Sequence, residues 1–163
     1  MKKTIILVII LCFIMSGCGD KTAKMTPEDV VNTWFLSHYE DDWEMYNMVM
    51  MEGHKADLSL PAPNYGLISV NINGIKEYRG EKFDSRADMY IDSPLGKSWG
   101  LRDADNMTIV LADAELVQDG TMVSPSSYTE WEFILIRKNK HSPWKIANFG
   151  MGGLSYAEEF GES

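Results

Sequence analysis

The sequence EWEFILIRKNKHSPWKIANFGM, at residues 130–151, is the strongest indication of the fold class of this chain. It contains two runs rich in β-branched and aromatic residues, which are typical of β-strands. The residues between the runs, NKHS, are few enough to form a hairpin connection. A similar run, MTIVLADAELVQD at 107–119, precedes them. We therefore expect three sequential antiparallel strands between about residues 107 and 151.

The sequence upstream shows helix signals instead. In TPEDVVNTWFLSHYE, Thr26 can cap a helix and Pro27 suits the first helical position. Apolar residues then recur with helical spacing to about Tyr39. A second helix is expected to start at Asp41, because Glu44 three residues later completes a capping box. The segment 26–51 is thus predicted to form two short helices.

The segment between these regions changes from loop to strand character. Proline and glycine mark a loop at 61–66, and GLISVNINGIKEYRG at 66–80 alternates as a strand does. SRADMYID at 85–92 reads as a short strand or an irregular segment, and 93–106 reads as a loop. The whole predicts an α+β fold in which the N-terminal helices pack on one face of a curved, mainly antiparallel sheet.

The N-terminus has the layout of a signal peptide. A basic start precedes the apolar run Thr4–Met15, which is little more than half of the roughly 20 residues that a membrane-spanning helix needs. The tetrapeptide MSGC, ending at Cys18, resembles the bacterial lipobox, whose cysteine is alkylated with diacylglycerol before the chain is cut. The alternative is a secretory signal cut near Gly17 or Gly19, which would leave Cys18 as a free thiol.

The lipobox resemblance implies a domain layout and a location. Residues 1–17 would be a lipoprotein signal peptide, Cys18 the lipid attachment site, 18–25 a lipidated tether and 26–163 a single α+β domain. The protein would then be lipid-anchored in the cell membrane at its extracytoplasmic face. Cys12 would be lost with the signal peptide, so no disulfide could form.

The charge of the chain excludes some partners. Removal of residues 1–17 takes away two of 15 basic residues and none of the 24 acidic ones, so 13 basic residues face 24 acidic ones and the net charge is −11. Nucleic acids are bound by clustered Lys and Arg, so we expect no nucleic-acid partner. The same charge disfavours flat docking on an anionic bilayer.

The domain also resembles a known superfamily. The helical segment VVNTWFLSHYEDDWEMYNMV at 30–49, the strands and the terminal EWEFILIRKNKHSPWKIANFGMGG are similar to the nuclear transport factor two-like superfamily, which includes ketosteroid isomerase and scytalone dehydratase. The resemblance covers about residues 26–154, and with the lipobox it is similar to small lipoproteins of Gram-positive bacteria. It implies a cone-shaped sheet around a pocket. No catalytic residue of the superfamily matches position by position, so none is transferred.

The sequence offers few conventional site motifs. The histidines His38, His54 and His141 are far apart and have no cysteine partners, so zinc-type spacing is absent. No nucleophile motif appears, and GMGGLS does not open a helix as a phosphate loop does. We therefore expect no catalytic residue, no metal site and no cofactor.

Two groups of residues remain as candidates. Four acidic residues on predicted strands could gather on one side of the sheet: Asp113, Glu115, Glu130 and Glu132. They could form a cation site or a base with a raised pKa, or simply a solvated face, which we favour. Four aromatic residues could line a pocket or belong to the core: Tyr90, Trp99, Trp131 and Trp144.

These observations predict a membrane-anchored lipoprotein that acts as a ligand-binding or protein-interaction module. Its partner would be an unknown small molecule or another envelope protein. The alternative is a pocket enzyme of the ketosteroid isomerase type that uses a buried carboxylate. An accessory or inhibitory lipoprotein that acts on an envelope protein is a third possibility.

Overall fold

The computed structural model describes residues 24–60, 67–118, 129–151 and 153–161. The predicted signal peptide and Cys18 lie outside the described residues. In chain order the elements are α1 (Pro27–Tyr39), α2 (Trp43–Val49), β1 (Leu67–Tyr78), α3 (Phe83–Asp92), α4 (Pro94–Ser98), β2 (Met107–Gln118), β3 (Glu130–Ile136), β4 (Lys145–Met151) and α5 (Tyr156–Phe160), with 3-10 turns at Glu52–His54 and Ala104–Asn106. Within these ranges, no helix is both long enough and apolar enough to span a bilayer.

The four strands form one open antiparallel sheet in the order β1-β2-β3-β4. The register places Val110 opposite Phe133 and Asp113 opposite Glu130. The three strands expected between 107 and 151 are confirmed, as is the α+β class with N-terminal helices packed on an antiparallel sheet.

One face of the sheet is covered by α1 and α2. Side chains alternate between the faces of a strand, so Val110 and Ala112 of β2 lie on the same side as Phe133 and Leu135 of β3. The helices bury an apolar stripe against them: Val30, Val31, Trp34, Phe35, Val49 and Met50. This stripe recurs at helical spacing, which is why the sequence predicted both helices.

The opposite face is covered as well. Ile109, Leu111 and Ile134 pack there against Phe83 and Ala87 of α3. The segment 85–92 is part of the helix α3, so the expectation of a short strand or irregular segment was wrong. The two core contacts of α3 are one helical turn apart, and burial of that face stabilises the helix. The N-terminal helices thus pack on one face of the sheet, as expected, and α3 covers the other face.

The helix starts agree with their capping signals, with one correction. The Thr26 hydroxyl accepts the Asp29 amide at 3.2 Å, and the Asp29 carboxylate accepts the Thr26 amide at 3.0 Å. The N-cap of α2 is Asp42, not Asp41, because the Asp42 carboxylate accepts the Met45 amide at 2.8 Å. Asp41 has φ of 53°, a left-handed conformation that an N-cap residue does not adopt but that aspartate tolerates.

Candidate functional site

A cleft of about 880 Å³ lies at the end of the sheet where β2 begins and β3 ends. Three parts of the chain form its walls: the 3-10 turn after α2, the segment 99–106 and the β3–β4 hairpin. The Met51 amide donates to the Ile146 carbonyl at 3.0 Å, which holds the first of these walls against β4. The cleft is thus formed by elements that are distant in sequence.

A helix-terminating motif shapes the wall at 99–101. Gly100 has φ of 73°, in the left-handed region that favours glycine. Its amide donates to the Lys97 carbonyl at 3.1 Å, and the Leu101 amide donates to the Gly96 carbonyl at 2.9 Å. These two bonds form a Schellman motif, which ends α4 and places Trp99 and Leu101 in the cleft wall.

The expectation that 93–106 is a loop was wrong over the helix α4 and over the 3-10 turn Ala104–Asn106. The hydroxyl of Ser93 accepts the Gly96 amide at 2.9 Å as the N-cap of α4, and Pro94 occupies the first helical position. Serine and proline at the start with glycine just beyond the end are a helix signature that could have revealed α4. The helix is only five residues long, so its sequence shows no apolar period.

Arg137, the first residue after β3, is held in place on the cleft wall. Its guanidinium stacks on the Trp144 ring, with Cζ 4.3 Å from the ring centroid. Its Nη2 donates to the Asp105 carbonyl at 2.9 Å, and its backbone amide donates to the Asn106 carbonyl at 2.9 Å. The buried Nε has no hydrogen-bond partner among the described residues.

The cleft has an excess of positive charge. Its lining includes four basic residues, which are Arg102, Arg137, Lys138 and Lys145, and one acidic residue, Glu52. Glu52 is paired with Lys55 at 2.7 Å. Across the described ranges, no carboxylate lies within 4.0 Å of the Arg102, Arg137 or Lys138 charges. The Lys145 ammonium donates to the Met48 carbonyl.

Comparison with known proteins gives one family. The family described as "Domain of unknown function (DUF4829)" matches residues 28–150, which is most of the chain and includes the whole cleft lining. The chain belongs to the DUF4829 family. No curated protein and no solved structure matches it.

In the DUF4829 domain, three of the four aromatic residues singled out from the sequence lie at or near the cleft. Trp99 lines it, Trp144 lies under Arg137, and the Tyr90 ring is 5.6 Å from the Trp99 ring. Burial, and secondarily the charge of Glu132, raise the pKa of the Tyr90 hydroxyl above its ordinary value. Trp131 lies on the α1 face of the sheet instead, 5.7 Å from the Trp34 ring.

The four strand carboxylates lie on one face of the sheet, as expected, but they have separate hydrogen-bond partners. Asp113 accepts from the Asn73 amide nitrogen at 3.1 Å, and Glu115 from Asn71 at 3.2 Å. Glu130 accepts from the Ser155 hydroxyl at 2.8 Å and from the Ala157 amide, in the first turn of α5, at 3.0 Å. Within the part of the chain that the structure describes, no three His, Cys, Asp or Glu side chains are grouped to hold a metal ion.

The expectation that all four carboxylates are solvated was wrong at Glu132. This side chain is buried, and both its oxygens lie 2.5–2.6 Å from Nη1 of Arg86. Oε2 also accepts the Leu154 amide at 2.8 Å. A small pocket of about 200 Å³ lies beside it. A general base needs a lone pair directed at its substrate, whereas these contacts engage both oxygens of Glu132 within the protein.

The three histidines are not brought together. His54 and His141 are exposed, and His38 is half-buried in α1. Nδ1 of His38 donates to the Trp34 carbonyl at 2.8 Å, and its ring lies 4.1 Å from the Trp34 ring. Burial lowers the pKa of His38 below its ordinary value, against the smaller opposing effects of the Trp34 carbonyl and the Asp41 charge. His38 is therefore a hydrogen-bonded residue at the rim of the core.

Proposed function

We propose that this protein is a lipid-anchored extracytoplasmic module that binds a small molecule in the cleft. The observation that carries the proposal is the cleft itself. Its volume, about 880 Å³, falls within the roughly 300–1,000 Å³ range of small-molecule sites. Such sites combine an apolar lining with a few polar groups that orient the ligand.

The cleft has that composition. Leu101 and Ile136 are core residues that also reach the cleft, and Trp99 lies beside Leu101. The same lining includes guanidinium and ammonium groups. The apolar wall would bury the body of a ligand, and the charged groups would fix its orientation.

The predicted anchor would keep the cleft near the membrane. The seven residues GDKTAKM between Cys18 and the start of the folded domain reach no more than about 25 Å when fully extended. The lipobox resemblance supports acylation at Cys18. A domain with net charge −11 would stay off an anionic membrane surface, so the cleft would remain open to ligands in the extracytoplasmic space.

The nuclear transport factor two-like assignment belongs to the same proposal. Two N-terminal helices that pack across one face of an antiparallel sheet support it. The proposal does not depend on this assignment, because the cleft is described by its own walls.

Retention of small molecules tests the proposal. The protein is equilibrated with a small-molecule extract of its own cells and separated by size, and the retained compounds are identified by mass spectrometry. Trp99→Ala should reduce retention, because it removes the largest apolar side chain of the cleft wall. Leu95→Ala is the control, since Leu95 is an exposed residue of α4, which ends just before Trp99, and does not line the cleft. Equal retention by the parent and by Trp99→Ala would contradict the proposal.

A further inference from the structure

We infer that the cleft selects an organic anion, such as a phosphomonoester, whose charged group is attached to a flat or apolar body. This inference rests on the proposed function, because it names the ligand class of the same cleft. Three features of the cleft carry it: its local charge, its fixed arginine and its apolar wall.

The local charge is opposite to that of the protein. The whole chain has 15 basic and 24 acidic residues, so an average region of its surface carries more acids than bases. The cleft lining reverses this ratio, with four basic residues against one acidic residue. The acid, Glu52, is paired with Lys55, which does not line the cleft. An anion is therefore attracted to the cleft and repelled by most of the remaining surface.

Arg137 is ordered before any ligand arrives. Stacking on Trp144 and the bond to the Asp105 carbonyl fix its guanidinium, although it has no carboxylate partner in the described ranges. Arginines elsewhere in the domain are neutralised: Arg86 by Glu132, and Arg79 by Glu77. A planar guanidinium is well suited to phosphate and carboxylate oxygens, and one that is already fixed loses little side-chain entropy on binding.

The apolar wall of the cleft indicates the kind of group that is attached to the anion. Trp99 is half-buried and lies against Tyr90, so its ring is supported from one side. Leu101 and Ile136 extend this surface into the cleft. A free inorganic anion would leave the wall unused, whereas a flat or apolar group attached to the anion would cover it.

Calorimetry with three small probes tests the charge and the body separately. The full chain, purified in a nonionic detergent, is titrated with phenyl phosphate, phenol and inorganic phosphate. We expect phenyl phosphate to bind at least about tenfold more tightly than either of the others, a difference typical of one charge-assisted contact. Its affinity should fall as sodium chloride is added.

Two variants locate the binding. Arg137→Gln should weaken phenyl phosphate about tenfold, with little effect on phenol. Arg79→Gln is the matched control, because Arg79 also stacks on an aromatic ring at 4.3 Å but lies outside the cleft. Lys138→Gln should also weaken phenyl phosphate. Lys138 is exposed, so this variant keeps the test valid if Arg137→Gln fails to fold.

The outcomes separate this inference from the proposed function. Equal binding of phenol and phenyl phosphate, unaffected by Arg137→Gln and Lys138→Gln, would overturn the inference and leave a neutral-ligand cleft. Absence of binding by phenyl phosphate at millimolar concentration would also overturn the inference. The proposed function would then be decided separately, by whether Trp99→Ala retains fewer small molecules from the cell extract than the parent does. Dihexanoyl phosphatidate distinguishes the source: tighter binding than phenyl phosphate supports a lipid phosphomonoester, and weaker binding supports a soluble one.

Discussion

Arg86 of α3 and Glu132 of β3 form an ion pair at 2.5 Å that joins a helix to the middle of the sheet. Their side chains are only 28% and 10% exposed. The Leu154 amide donates to the same carboxylate, so the pair also positions the chain after β4. A carboxylate this buried depends on its partners, because desolvation of an unpaired charge is costly.

Removal of Arg86 should therefore destabilise the protein strongly. We expect Arg86→Met to lower the free energy of unfolding by about 2 kcal/mol, which is below the usual range for a fully buried pair because Arg86 is partly exposed. Urea denaturation would measure this. Lys82→Met removes the partner of Glu159 beside the same helix and should have a smaller effect, because the Lys82 side chain is 59% exposed. If the double variant Arg86→Met, Glu132→Met is less stable than Arg86→Met alone, the unpaired buried charge is not the cause.

Gly100 is required by its backbone conformation. Its φ of 73° makes Gly100→Ala cost about 1 kcal/mol, although no neighbouring atom would contact the added methyl group. Gly100→Asn should cost less, because asparagine adopts left-handed conformations more readily. Gly53→Ala, which meets no neighbour and has no positive φ, is the control. Thermal melts of the three variants would show the order, and equal stability of Gly100→Ala and Gly53→Ala would contradict it.

Stability should fall in mild acid because of His38. Burial holds its folded-state pKa below the ordinary value of 6.5, so the unfolded chain binds more protons as the pH drops through that value. The free energy of unfolding should therefore decrease from about pH 6.5 downwards until the folded-state pKa is passed. His38→Gln should flatten this part of the curve, whereas His141→Gln, at an exposed position, should not. If the free energy of unfolding falls with pH equally steeply in the parent and in His38→Gln, His38 is not the cause of the loss of stability.

Cys18 is predicted to carry the lipid. Cells grown with a clickable fatty acid should label the protein, and Cys18→Ser should abolish the label. Cys12→Ser is the control, because Cys12 lies within the predicted signal peptide. Labelling that persists in Cys18→Ser would exclude this anchor.

The parts of the fold with a clear sequence period were predictable. The α1 stripe follows from burial of one face of the helix. The strands β2 and β3 are buried on both faces, and their continuous runs of apolar and β-branched residues indicated strands for that reason. The helix α3 was not predicted, because its N-cap, Lys82, makes no side-chain capping bond and its strand-forming residues obscure the helical spacing. Its helical state depends on contact with the sheet.

The cleft could be predicted only in fragments. Trp99 and Trp144 were selected as possible pocket residues, and both lie at the cleft. Arg137 was not selected, because its position depends on the β3–β4 hairpin bringing Trp144 under it and on the Asp105 carbonyl from another part of the chain. The acidic strand residues form a more regular pattern in the sequence, but their side chains are held by separate partners.

The most direct test of the cleft as the binding site is a nuclear magnetic resonance titration of the isotopically labelled protein with phenyl phosphate. If phenyl phosphate binds in the cleft, the Trp99 indole signal and the backbone amide signals of Leu101 and Lys138 should shift together with one dissociation constant. The Trp34 indole signal, from the opposite face of the sheet, should stay in place. Shifts confined to the surroundings of Glu132 and Asn148, at the smaller pocket, would contradict the assignment.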